Sequence, residues 1–79
     1  MSPQPFNASS SSGDQKPQIG SRDLSILVDQ MNHEALAYKK CKVYSQYFMD
    51  SSLKDIANAA AQHHKQHFDA LENYLSTHR

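Results

Sequence analysis

The chain has 79 residues, with eight basic and eight acidic side chains, five histidines and one cysteine. Charge so evenly matched argues against nucleic acid and anionic membrane as main partners, since both reward a clustered positive face. A lone cysteine excludes a disulfide within the chain and fits a reducing compartment.

No apolar stretch has the length of a membrane span. The N-terminus lacks a charged start followed by an apolar run, so no secretory signal is expected and synthesis is placed in the cytoplasm. The opening segment, MSPQPFNASSSSGDQKPQIG, holds every proline and glycine of the chain and, apart from Phe6 and Ile19, almost nothing large to bury. Such a segment does not offset its ordering entropy, so residues 1–21 are expected to form a disordered Ser/Pro/Gln-rich arm.

From Arg22 to Arg79 there is neither glycine nor proline, which fits long uninterrupted helices and suits a sheet poorly. Ser21 reads as an N-cap, with Asp23 well placed in the first turn. Leu24, Leu27, Met31, Glu34, Tyr38, Cys41, Ser45 and Phe48 then alternate by three and four, a heptad seam. Asp50-Ser51-Ser52 interrupts it, and Ser52-x-x-Asp55 approximates a capping box. A second seam follows through Leu53, Ala57, Ala60, His64, His67, Leu71 and Tyr74. The pattern predicts helices over about 22–48 and 52–77, each roughly 40 Å long. Joined by so short a turn they must be antiparallel, giving an all-α two-helix hairpin.

The first helix also carries Ile26, Val28, Leu36, Val43, Tyr44 and Tyr47 off its seam. One neighbouring helix cannot cover a surface that wide. The hairpin is therefore expected to dimerise into a four-helix bundle or assemble further. Leu24, Leu27, Met31, Tyr38, Phe48, Leu53, Leu71 and Tyr74 would carry that self-association.

Folding the hairpin about Met49 and Asp50 sets residues whose numbers sum to about 99 or 100 at one height. Glu34, the only carboxylate of the first seam, then meets His64 and His67, the only imidazoles of the second. Histidines at i and i+3 share a helix face, and a carboxylate from the neighbouring helix adds a third donor. Such a set suits zinc or another divalent transition metal. Tyr38, one turn beyond Glu34, is placed to hydrogen-bond the carboxylate, and His63 with His67 forms an alternative ligand pair. The competing reading needs no metal: His64 and Glu34 satisfy each other in the core. Cys41 reads as a core filler. Lys39, Lys40 and Lys42 read as a solvated face. With no glycine-rich loop and no nucleophilic triad, no enzymatic activity is expected.

Glu34-x-x-x-Tyr38, the Asp50…Leu53-Lys54 turn, and His67 followed by Leu71 resemble half of a ferritin-like or rubrerythrin-like bundle. More narrowly, the stretch from Asp23 to about Leu75 is similar to the short spore coat proteins of the coat F type. The matching line runs from Tyr44 through Leu53-Lys54 to His64-Lys65-Gln66-His67-Phe68 and Leu71. The resemblance implies a ferritin-like fold and a non-enzymatic structural role in the spore coat, with other coat proteins as partners. It does not bring di-iron chemistry with it. That chemistry uses Glu-x-x-His on the second helix, and His64 stands here in the glutamate position, leaving only His67. Fewer bridging carboxylates favour zinc, another nitrogen-loving metal, or no metal. The rival expectation is a metal-binding ferritin-like protein with Glu34, His64 and His67 as ligands.

Overall fold

A computed structural model describes residues 17–79. Two long helices, α1 (Ser21–Tyr47) and α2 (Ser51–His78), pack against each other as an antiparallel hairpin. Of the arm expected over 1–21, residues 1–16 lie outside the described residues. Residues 17–20 run irregularly into α1, and the Ile19 amide donates to the His78 carbonyl at 2.6 Å. The chain entering α1 thus satisfies one of the carbonyls that the end of α2 leaves without an intrahelical donor.

The helix ends differ in detail from the expectation. Gly20, not Ser21, is the N-cap of α1; its backbone is extended and Ser21 is already helical. Glycine serves adequately at that position, and its carbonyl accepts from Leu24 N–H at 2.9 Å. The Ser52–Asp55 capping box does not form, because Asp50 has taken the role. Its Oδ1 accepts from Leu53 N–H at 3.0 Å, and its carbonyl accepts from Lys54 N–H at 3.1 Å. A carboxylate at this end also faces the positive pole of the helix dipole. Asp50→Ala is expected to cost about 1 kcal/mol. Circular dichroism should then show the melting midpoint lower by roughly 4–8 °C.

The seam of α1 is as the heptads predict: Leu24, Leu27, Met31, Glu34, Tyr38, Cys41 and Ser45 are buried or half-buried. Phe48 is exposed just past the helix end. In α2 the line that meets α1 is Ala57, Ala61, His64, Phe68, Leu71 and Leu75, while Leu53, His67 and Tyr74 are exposed. The expected and observed stripes share Ala57, His64 and Leu71, and their centres lie roughly 50° apart around the helix. The reason is that α2 is apolar on both flanks of that shared line, and a single neighbour takes only one of them. Among the described residues the buried apolar ones are just Ala57 and Ala61. That is a thin core for helices of this length.

The two broad faces of the hairpin are unlike each other. One is polar: Lys42 Nζ donates to Asn58 Oδ1 at 3.1 Å, Lys54 Nζ to the Ser45 carbonyl at 3.4 Å, and Lys65 pairs with Asp69 at 3.0 Å. A groove lined by Glu34, Ala35, Tyr38, Lys39, Lys65, Phe68 and Asp69 runs along it. The opposite face follows positions 26, 30, 33, 37, 41, 44 and 48 of α1 and its end, and 53, 56, 60, 63, 67, 70 and 74 of α2. None of these is Lys, Arg, Asp or Glu. Its large apolar members, Ile26, Tyr44, Phe48, Leu53, Ile56 and Tyr74, are all exposed. A shallow groove between Asp23, Ile26, Gln30, Leu71 and Tyr74 belongs to this face, and Asp23, one turn before Ile26, is the charged residue at its end. Neither helix is long and apolar enough to cross a membrane.

Candidate metal centre

Glu34 lies near the midpoint of α1, and His64 lies near the midpoint of α2. Antiparallel pairing about the Met49–Asp50 turn brings these midpoints to one height. Glu34 is only 6 % exposed, so its charge needs partners. His64 Nδ1 stands 2.6 Å from Glu34 Oε1, and His67 Nδ1 stands 3.6 Å from the same oxygen. A carboxylate only accepts, so the shorter contact places the proton of His64 on Nδ1. The other carboxylate oxygen, Oε2, accepts from Gln30 Nε2 at 2.8 Å. The two imidazole rings meet edge to face with centroids 6.3 Å apart.

These three residues are the set expected from the seams, and a donor atom from each lies within 4.8 Å of the others. Side-chain exposure rises from 8 % at Glu34 to 31 % at His64 and 60 % at His67. The cluster is therefore rooted between the helices and opens on the uncharged face. Donors around a tetrahedral zinc at about 2.0–2.1 Å stand about 3.3 Å from one another. The His67–Glu34 separation already suits that, whereas the His64–Glu34 contact must widen as its shared proton gives way to the ion. A rotamer adjustment supplies that much movement, so the donor set fits zinc or a similar borderline cation. The same geometry also serves as a self-satisfied Glu–His pair.

Tyr38 does not take its expected part. It lines the groove of the polar face, and the hydrogen bond predicted for it comes from Gln30 on the other side of Glu34. Gln30 precedes Glu34 by one turn, a spacing that places the two side chains together, so the signal was present in the sequence. His63 is exposed and stands one turn from His67. Cys41 is a half-buried free thiol. His78 stacks on Tyr74 with centroids 3.7 Å apart, away from the cluster.

The hydrogen bond from His64 holds the Glu34 carboxyl below its ordinary value of 4.5, helped by Gln30 and by the charge of His67 and opposed by burial. A lowered carboxyl value means that the folded state prefers the ionised form. The contribution to stability is then fully present above pH 4.5 and is lost as pH falls through the lower, folded-state value. In chelator, the melting midpoint should fall on acidification below that point. Glu34→Gln should flatten the fall, and parallel acid profiles for the two proteins would contradict this account.

Compared with known proteins, the chain matches no family model, no curated protein and no solved structure.

Proposed function

We propose that this chain is a non-enzymatic assembly protein, a helical hairpin that pairs with a second copy to complete a four-helix bundle. Its role would be structural, of the kind played by the coat F type spore coat proteins that its sequence resembles, with other coat proteins as further partners. One observation carries this reading: one face of the hairpin exposes Ile26, Tyr44, Phe48, Leu53, Ile56 and Tyr74 and, apart from Asp23 at its end, carries no Lys, Arg, Asp or Glu. Exposed apolar side chains gathered at the two ends of one face mark an interaction site. Sedimentation equilibrium at micromolar concentration should give twice the chain mass of 8.9 kDa, or more. A monomer that keeps its helicity would overturn the proposal.

A second reading is favoured by the Glu34, His64 and His67 cluster: the same protein binds a divalent transition metal, zinc being the best fit to two imidazoles and one carboxylate. Native mass spectrometry after incubation with zinc chloride should show the bound ion, and Glu34→Ala should weaken binding by about a hundredfold or more. That magnitude follows because loss of an outer-shell partner alone costs about 10–100-fold. An identical, metal-free spectrum at excess zinc would leave the cluster as a Glu–His pair.

A further inference from the structure

We infer that the two properties are one device: the ion bound by Glu34, His64 and His67 takes its fourth donor from His63 of a second copy, so zinc and dimerisation drive each other. The inference rests on the self-association proposed above.

Three protein donors leave a tetrahedral ion one ligand short, and structural zinc sites are almost always closed by four. His67, the most exposed of the three, opens the cluster onto the uncharged face, while Glu34 also borders the groove of the polar face. His63 stands on that face. It lies roughly 120° around α2 from the line that meets α1, at 100° per residue, so it projects outward toward whatever covers the face. It makes no hydrogen bond among the described residues, and it is one turn from His67 and therefore at the height of the cluster.

A second copy is the occupant that the dimensions favour. Two helices about 40 Å long and about 10 Å wide, side by side, present about 800 Å², which is what each partner of a standard stable interface buries. The face carries no Lys or Arg and a single exposed carboxylate, Asp23, at its end, so two copies meet with little like-charge repulsion. Because the cluster sits near the midpoint of both helices, any two-fold axis through the middle of the hairpin brings both clusters to one level. The shift in α2 supports the same packing. Its apolar stripe is centred between the direction of α1 and the direction of the open face, as a helix with a neighbour on each side requires. By linkage, an ion that binds the dimer better than the monomer tightens the dimer by the same factor.

The test is sedimentation velocity over a range of protein concentrations, in chelator and in zinc chloride, on the wild type and on His63→Gln, with helicity checked for each. The dimer dissociation constant of the wild type should fall at least about tenfold in zinc, within the usual range of such couplings, and that of His63→Gln should not. A dimer equally tight with and without zinc would overturn the coupling while leaving self-association intact. A zinc effect undiminished in His63→Gln would remove His63 from the site. A monomer under every condition would overturn this inference together with the reading beneath it.

Discussion

Lysine in place of Ile56 is expected to leave a folded hairpin that no longer self-associates, whereas lysine in place of Leu36 changes neither property. The two side chains are similar in kind and in exposure, 64 % for Ile56 and 54 % for Leu36. They differ only in direction. Ile56 lies on the uncharged face beside Leu53 and Ala60, while Leu36 points to the far side of α1 from α2. Because each copy carries the substitution, an anchor worth about 2 kcal/mol counts twice, and about 4 kcal/mol is roughly a thousandfold in the dissociation constant. Both substitutions are at the surface of the isolated hairpin, so its own stability should move by no more than about 0.5 kcal/mol. Sedimentation of the two variants beside the wild type separates the faces. Equal behaviour of Ile56→Lys and Leu36→Lys would mean that association is non-specific or uses another surface.

Much of this architecture is legible in the residues because a hairpin of long helices is governed by few rules. The absence of glycine and proline after Gly20 and the two heptad seams lead directly to α1 and α2. Antiparallel geometry then fixes heights, which is why Glu34 is found against His64 and His67. The misses have a common cause: each was a choice between near-equivalent local options decided by geometry. Asp50 outcompetes Ser52 as the cap of α2 because its carboxylate reaches Leu53 N–H and complements the dipole. The flank of α2 that turns toward α1 carries Ala61, Phe68 and Leu75 in place of Ala60, His67 and Tyr74. Small Ala61 lets the backbones approach there, and periodicity alone does not rank the two flanks. Gln30 and Tyr38 each stand one turn from Glu34, and it is Gln30 that bonds the carboxylate while Tyr38 lines the groove of the polar face.

Phenylalanine at position 61 should be the most damaging single change within the hairpin. Ala61 is fully buried, at 0 % exposure, and belongs to the line of α2 that meets α1. A methyl group fits there because the helices are close, and a ring has no space to enter without forcing them apart. Overpacking of a tight contact typically costs about 1–3 kcal/mol. With so thin an apolar core, little else compensates, and the midpoint should drop by roughly 5–20 °C. The damage would also reach the candidate centre. Ala61 is three residues from His64, so separating the helices at that height stretches the 2.6 Å contact with Glu34 and should lower zinc affinity in parallel. Ala59→Phe is the matching control: Ala59 is exposed, and the added ring meets solvent, not α1. Its midpoint should stay near that of the wild type. If Ala61→Phe melts with the wild type as well, the helices are not held together along the Ala57–Ala61–His64 line, and the cluster built on that line loses its support.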